Sequence, residues 1–206
     1  MTPNSGSNQE IEVKFCVRSL PALAARLQQL GAVATQPRVW EQNLRFDTPD
    51  GELRRANRVL RLRQDTAARM TYKGPGRLAG GVQHRAEIEL TVESLEQARA
   101  LLEALGYRVS MAYEKYRTTY SLGGTLVTLD EMPYGSFVEI EGSTSEAIAP
   151  VAGSLKLDWE ARINESYAGL FDRARAALNL PFRDLLFDNF RSVAVRPEHL
   201  GVGFAD

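Results

Sequence analysis

Charged and apolar residues alternate in a short stretch near the start of the chain. Residues 10–15 read Glu-Ile-Glu-Val-Lys-Phe. Side chains on a β-strand point alternately to its two faces, so Glu10, Glu12 and Lys14 would share one face and the apolar residues the other. The pattern predicts a strand whose charged face lines a wet, ligand-binding cavity. For this stretch alone, an ordinary half-exposed strand with its charges in solvent is the alternative.

Further strands are predicted along the chain, and in most of them charged residues again share one face. Turn signals rich in Gly, Pro and Asp separate these strands. The glycines between residues 74 and 81 predict a long connecting loop, and they do not form a phosphate-loop motif. The predicted strands after the first cover residues 38–46, 59–63, 69–73, 85–92, 113–120, 125–130 and 136–141.

Two helices are predicted, and their apolar stripes are expected to pack on the outward faces of the predicted strands. Ser19 and Ser94 are predicted N-caps of helices over residues 20–30 and 95–105, and each helix is followed by Gly. The two serines stand 75 residues apart, and the charged strands before them align at the same offset. The chain therefore reads as two related halves, which suits a barrel closed from both.

After the last strand the pattern changes. Asp158 is expected to cap a helix that runs to about residue 178, because an apolar stripe with helical spacing follows it. The aromatic stretch 181–190 is expected to form at most a short helix, and the residues from 193 onward give no clear signal.

Composition narrows the class of protein. The 206 residues suit one large domain or one domain with an appendage. With 25 Lys and Arg against 26 Asp and Glu, no global basic field indicates a nucleic-acid partner. No apolar run reaches the length of a membrane-spanning helix. The single Cys16 cannot form an intrachain disulfide, which fits a reducing cytoplasm.

The charged faces of the predicted strands carry two sets of residues. Charges in a cavity must be paired or bound to ions. Arg and Lys bind phosphate oxygens, and carboxylates hold Mg2+ or Mn2+, so a polyphosphate with a divalent metal would require both sets. A barrel filled only by internal salt bridges is the alternative, and two histidines in the chain argue against a zinc-type site. The cations are Lys14, Arg61, Arg63, Lys73, Arg85, Lys115 and Arg117, and the carboxylates are Glu10, Glu12, Glu87, Glu89, Asp130, Glu139 and Glu141.

The ordered set of motifs resembles a known family. Residues 10–14 match the Glu-x-Glu-x-Lys signature of the CYTH domain, also called the triphosphate tunnel metalloenzymes. The resemblance implies an α+β fold: a closed eight-stranded antiparallel β-barrel forming a tunnel, with a hydrophilic interior and helices packed outside. Where many relatives read Asp-x-Tyr-Phe-Asp, residues 43–47 read Asn-Leu-Arg-Phe-Asp, which would add the cation Arg45 to the tunnel. Further matches are residues 60–63, 71–75, 85–89, 115–117, 129–131 and 137–141.

The resemblance also implies roles for individual residues. The metals, Mg2+ or Mn2+, would be held by Glu10, Glu12, Asp130, Glu139 and Glu141. The phosphates would be bound by Lys14, Arg61, Arg63, Lys73, Arg85, Lys115 and Arg117. The catalytic candidates are Lys14, Glu87 and Glu89, the two glutamates completing a metal shell or orienting a nucleophile.

The implied function is metal-dependent cleavage of a small-molecule triphosphate. The family includes class IV adenylyl cyclases, thiamine triphosphatases and inorganic tripolyphosphatases. Hydrolysis is favoured, because it needs only the phosphate-binding cradle and the sequence shows no adenine-reading motif. The alternatives are cyclisation of ATP to cyclic AMP and pyrophosphate, and a non-catalytic binder of polyphosphate or nucleotide.

The expected organisation of the chain has three parts. Residues 1–8 are expected to be a disordered tail, and residues 9–180 a tunnel domain that includes the C-terminal helix. Residues 181–206 are an extension without a recognisable match. The protein is expected to act in the cytoplasm as a monomer or homodimer, without a nucleic-acid or membrane partner.

Overall fold

The computed structural model describes residues 9–206, and the disordered tail predicted for residues 1–8 lies outside them. Most of the chain forms β-strands, with helices between and after them. The strands are β1 Gln9–Val17, β2 Val33–Asp47, β3 Val59–Gln64, β4 Ala68–Lys73, β5 Arg77–Ala79, β6 Val82–Val92, β7 Arg108–Leu122, β8 Thr125–Met132, β9 Gly135–Glu141 and β10 Arg162–Ile163. The helices are α1 Leu20–Gln29, α2 Glu52–Arg55, α3 Leu95–Ala104, α4 Ser145–Ser154, α5 Tyr167–Leu178 and α6 Pro197–Leu200.

Eight of the strands close into an antiparallel ring. Its order is β1, β9, β8, β7, β2, β3, β4 and β6, and β6 returns to β1. The closing seam is short and runs from the pair Gln9–Ala86 to the pair Glu12–Gln83. Beyond it, β10 pairs with β1 at Lys14, so the edge of β1 stays bonded. The predicted eight-stranded closed sheet is confirmed.

The two halves of the ring correspond as the sequence predicted. β2 and β7 have equal length, and their first residues, Val33 and Arg108, stand 75 residues apart. The side-chain oxygens of Ser19 and Ser94 accept hydrogen bonds from the backbone three residues on, as N-caps do. α1 and α3 each end one residue before the predicted end.

Apolar residues on the outward faces of the strands form the main core. Val13 and Phe15 of β1 and Ile140 of β9 are buried there against Leu27 of α1 and Ile148 of α4. A smaller cluster on the other side packs Leu102 of α3 against the outer faces of β2 and β3. The alternation therefore places the helices outside and leaves the charged faces inside.

The structure differs from the sequence prediction in three places. The glycine-rich connection contains the hairpin β5–β6, whose turn residues Gly80 and Gly81 both have positive φ, as such two-residue turns require. α4 was not predicted, because Pro150 and Gly153 obscure its helical pattern. Asp158 caps only a short 3-10 turn, since the chain must then run extended to pair β10 with β1.

The helix expected from Asp158 is therefore α5, which begins after Ser166. Its apolar face packs into one end of the ring rather than on the outside. There the inner-face residues Cys16 and Phe137 contact a second core that includes Leu170 and Phe171 of α5. We call residues 166–206, which fill this end of the ring, the plug.

Residues 181–206 complete the plug. Leu185 exchanges backbone hydrogen bonds with Ala112 and Glu114 of β7, and Phe190 and Leu200 are buried in the second core. The ring is consequently a tunnel that is filled at one end. Across residues 9–206, no helix is long and apolar enough to cross a membrane.

Candidate active site

The inner faces of the strands enclose a cavity of about 500 Å³. Of the fourteen charged residues predicted to share one face, all except Asp130 line it. Ser166, Tyr167 and Leu185 of the plug line its filled end. The ring thus brings together residues that are spread over more than 130 positions of the sequence, from Glu10 to Glu141.

A buried network of ion pairs occupies the β7–β8–β9–β1 side of the wall. Lys14 Nζ lies 2.7 Å from Glu139 Oε1. Arg117 binds both Glu139 and Asp130, with its Nε 2.6 Å from Asp130 Oδ1. Lys115 Nζ donates to Asp130 Oδ2 over 3.1 Å. These cations hold the pKa of Glu139 well below its usual range, although burial opposes them.

Asp130 is placed differently from the metal ligand that was expected. Its carboxylate is fully buried behind the cavity wall and accepts hydrogen bonds from Lys115 and Arg117. Tyr167 Oη also donates to Asp130 Oδ2 over 2.7 Å. Cationic and hydroxyl donors therefore already bind both oxygens of Asp130, and these contacts hold Lys115 and Arg117 in place.

The opposite wall carries a second set of pairs. Lys73 binds Glu10, and its Nζ lies 3.4 Å from Glu87 Oε2. Arg63 Nη2 lies 3.3 Å from Glu89 Oε1. Arg61 has one weaker contact, with its Nη2 3.9 Å from Glu89 Oε2. Both catalytic candidates on β6, Glu87 and Glu89, therefore already face cations.

Several residues of the wall were not among the predicted site residues. Glu41 is 1% exposed and its Oε2 lies 3.5 Å from Lys115 Nζ. Burial would raise its pKa, but Lys115 and neighbouring arginines outweigh burial and hold the pKa at about 2. Asn43, two residues along the same strand, is fully buried and does not itself line the cavity. Glu41 and Asn43 lie on the same face of the strand as Arg45, four and two residues before it. The alternation used for the other strands could therefore have assigned both to the inner face.

Tyr113 of β7 is a further unpredicted member of the wall. Its hydroxyl accepts a hydrogen bond from Arg61 Nη1 over 3.2 Å. Burial alone would raise the pKa of this phenol, but the nearby positive charges of Arg61, Lys115 and Arg45 lower it. Arg61, Lys115 and Arg45 thus give this part of the cavity a positive charge.

Carboxylates with too few partners gather on the β1, β6 and β9 part of the wall. The pKa of Glu12 is raised by burial and then by the charge of Glu139. Burial and the charges of Glu10, Glu12 and Glu87 raise the pKa of Glu141 to about 7. Glu10 Oε2 is buried without a hydrogen-bond partner in the described part of the chain. An added divalent cation would relieve this crowding.

These oxygens suit Mg2+ or Mn2+, which prefer hard oxygen ligands. Within residues 9–206, however, no three Asp, Glu, His or Cys side chains already stand together as a metal cluster. The protein therefore offers part of a coordination shell, and phosphate oxygens would have to supply the rest.

Comparison with known proteins matches most of the chain to one family and to a relative of similar length. The family described as CYTH domain matches residues 8–172. Adenylate cyclase CyaB of Aeromonas hydrophila is 28% identical over 174 residues, which cover 82% of this chain and 87% of that protein.

Solved structures share the fold. A Vibrio parahaemolyticus protein described as a candidate adenylate cyclase superposes with a TM-score of 0.73 at 23% identity, covering 81% of this chain and 99% of that one. HpAC1 from Hippeastrum, described as a candidate adenylyl cyclase with dominant triphosphatase activity, gives 0.56 at 23% identity, covering 71% and 84%.

Proposed function

The chain belongs to the CYTH domain family, and on that premise we propose that it binds a triphosphate in its tunnel and hydrolyses it with the help of Mg2+ or Mn2+. The observation that carries the proposal is the composition of the cavity wall. Both cations and carboxylates line this cavity, which is filled at one end. Such a cavity suits a small, compact and highly charged ligand.

The cations would bind the phosphoryl oxygens. Lys14, Lys115 and Arg117 are held by buried carboxylates, so their positions are fixed before substrate arrives. Lys14 is the catalytic candidate among them, because charge that develops on a phosphoryl group beside it would be neutralised without reorganisation. Arg61, Arg63, Lys73 and Arg85 would bind from the opposite wall.

The metal would be held by Glu10, Glu12, Glu139 and Glu141. When bound, it supplies Lewis-acid polarisation of the phosphoryl oxygens and neutralises negative charge. Glu139 already pairs with Lys14 and Arg117, so its share in holding the metal would be smaller than that of the crowded Glu12 and Glu141.

Hydrolysis requires a water that is oriented toward a phosphoryl group. Glu87 and Glu89 are the carboxylates of β6 that face the cavity, and we assign them to orienting this water or completing the metal shell. The reaction then depends on positioning and charge neutralisation, without a protein nucleophile.

Cyclisation of ATP is the second candidate, because the relative from Aeromonas hydrophila is named an adenylate cyclase. The same cradle could serve both reactions: in cyclisation the ribose 3′-hydroxyl attacks the α-phosphorus and pyrophosphate leaves. The fold is compatible with either, since HpAC1 is described with a dominant triphosphatase activity.

A panel of tripolyphosphate, thiamine triphosphate and ATP, each with Mg2+, Mn2+ or EDTA and with products separated by chromatography, tests the proposal. We expect orthophosphate from at least one substrate, and only in the presence of metal. Cyclic AMP with pyrophosphate from ATP would replace hydrolysis by the second candidate. Tight binding without turnover of any substrate would identify a non-catalytic binder.

A further inference from the structure

Two arginines that line the tunnel have no acidic partner. Within residues 9–206, neither Arg45 nor Arg85 forms an ion pair, whereas Lys14, Lys73 and the other tunnel cations each contact a carboxylate. Arg85 is held by backbone carbonyls instead, and donates over 2.8 Å to Gly74 and over 3.0 Å to Asn57. A partly buried cation without an internal counter-ion calls for an external anion.

A third guanidinium lies beside this pair. Arg61 is the cross-strand neighbour of Arg45 in the β2–β3 pairing. Its closest carboxylate oxygen, on Glu89, is 3.9 Å away, and its buried Nε has no hydrogen-bond partner in the described chain. Burial and the charges of Arg85 and Arg61 lower the pKa of Arg45, as expected where cations crowd together.

Space for an anion adjoins two of these side chains, Arg45 and Arg85. A second cavity of about 290 Å³ shares Arg45 and Arg85 with the main cavity and extends toward the start of α5. Much of its remaining wall is neutral amide, from Asn57, Gln83 and Asn164. Its acidic residues are Glu12 and Glu165, and Glu165 Oε2 already lies 2.7 Å from Arg173 Nε.

We propose that Arg45 adds an anion subsite at the plugged end of the tunnel. Arg61 and Arg85, which also face the last of the three phosphoryl groups held in the main cavity, would help it to bind one phosphoryl group more. The substrate class is then an uncapped linear inorganic polyphosphate, with tetraphosphate as its simplest member. The inference rests on the proposed function for the first three groups.

Arg45 gives this chain the specificity. It stands where the motif expected in many relatives has tyrosine. A guanidinium can bind two phosphate oxygens at once, whereas a phenol donates a single hydrogen bond. The fold exposes this added charge to the second cavity rather than pairing it internally.

Calorimetric titration in EDTA, where no turnover occurs, tests the subsite. Tripolyphosphate and tetraphosphate are titrated into the wild-type protein, Arg45→Tyr, Arg45→Gln and the control Arg99→Gln. Arg99 is an exposed cation on α3 that pairs with Glu103 outside the tunnel. We expect tetraphosphate to bind the wild type about tenfold more tightly than tripolyphosphate, the gain that one charge-assisted contact provides.

That preference should disappear in both Arg45 variants and persist in the control. Equal affinity of the wild-type protein for the two anions would overturn the subsite, and so would a preference that survives in whichever Arg45 variant folds. The wild-type comparison decides the matter even if neither variant folds.

Turnover separates this inference from the proposed function. If the wild type cleaves tripolyphosphate with Mg2+ but shows no preference for tetraphosphate, the subsite fails and the function stands. If no triphosphate is cleaved but the Arg45-dependent preference is present, the function fails and the subsite stands.

Discussion

Single residues on the tunnel wall differ in how fully their charges are compensated. Glu41 and Glu139 face several cations, and their pKa values are lowered despite burial. The pKa values of Glu12 and Glu141 are raised by burial and by neighbouring carboxylates. The first pair fixes the cations that we propose bind phosphate, whereas the second pair lies where a divalent cation would gain most.

Glu12 should therefore trade stability for activity. Glu12→Gln keeps the shape of the side chain but removes repulsion from Glu139, so the metal-free protein should become slightly more stable. Its turnover should fall by at least about tenfold, which corresponds to about 1.4 kcal/mol of lost transition-state stabilisation. Urea unfolding and steady-state kinetics with Mg2+ measure the two effects.

Val138→Thr is the matched control, because Val138 is fully buried on the outward face of β9. Burying its hydroxyl should reduce the free energy of unfolding by about 1–3 kcal/mol and leave turnover per folded molecule unchanged. Reversed behaviour of the two variants would place the charged face outside and refute the tunnel site.

Glu141 should make the stability of the metal-free protein depend on pH. Its pKa is about 7 in the folded protein, against an ordinary value of 4.5 in the unfolded chain. Between these values the folded state holds a proton that the unfolded state has released, so stability falls as pH rises through this window.

Glu141→Gln should remove that fall. We expect it to be only about 1 kcal/mol, because the wall encloses Glu141 on one side while its exposed part is screened by solvent. Thermal unfolding at pH 4.5 and pH 8 in EDTA, compared between the two proteins, measures it. An identical pH dependence in both would show that the carboxylates do not crowd on the β1, β6 and β9 part of the wall.

Among the elements, α5 does more than fill the ring. Its first residue, Tyr167, places its ring 4.4 Å from Lys14 Nζ and donates its hydroxyl hydrogen to Asp130. The plug thus contacts both Lys14, a proposed phosphate-binding cation, and Asp130, the carboxylate that pairs with Lys115 and Arg117. Packing of the C-terminal helix and geometry of the site are therefore coupled.

Substitutions at Tyr167 should separate these contacts. Tyr167→Phe loses a buried hydrogen bond, worth about 1–3 kcal/mol of stability, but keeps the ring beside Lys14. Tyr167→Leu also loses the cation–π contact, worth up to about 2 kcal/mol, and should weaken tripolyphosphate binding further. Titration calorimetry and urea unfolding measure both quantities.

Tyr134→Phe provides the control, since Tyr134 Oη donates to the backbone oxygen of Tyr167 without touching the cations. It should lose stability but not affinity. Normal tripolyphosphate affinity in Tyr167→Leu would make the contact with Lys14 purely structural.

For the whole molecule, the net charge is close to zero, because the chain has 25 basic and 26 acidic residues. Ring closure gathers charged residues of both signs around one cavity. Among the described residues that line the tunnel, the charges without an ion-pair partner lie in two places: Arg45 and Arg85 toward the plugged end, and Glu12 and Glu141 on the β1 and β9 wall. A ligand that neutralises them binds only the folded state, and so stabilises it.

Tripolyphosphate should accordingly raise the Tm even in EDTA. At a hundred times Kd the stabilisation is about 2.7 kcal/mol, or roughly 5–10 °C for a chain of this size. Differential scanning fluorimetry measures the shift, with sodium chloride of equal ionic strength as the control. An equal effect of both salts would indicate general screening without a binding site.

The sequence by itself determined which residues face the tunnel and that the chain consists of two related halves. Alternation with period two is a local property, so Glu10, Glu12 and Lys14 could be assigned to one face before any partner strand was known. The helix caps Ser19 and Ser94 are equally local. Glu41 and Asn43 were within reach of the same reasoning, but their strand was read without its parity.

Only the tertiary structure decided how the ring is filled and which charges are compensated. The plug joins Cys16 of the first strand to Leu170 and Leu185, and no local pattern records that pairing. Asp130 shares the parity of its strand, yet Lys115, Arg117 and Tyr167 occupy it from other elements. Periodicity fixes the face of a side chain, whereas its partners depend on contacts between residues far apart in the chain.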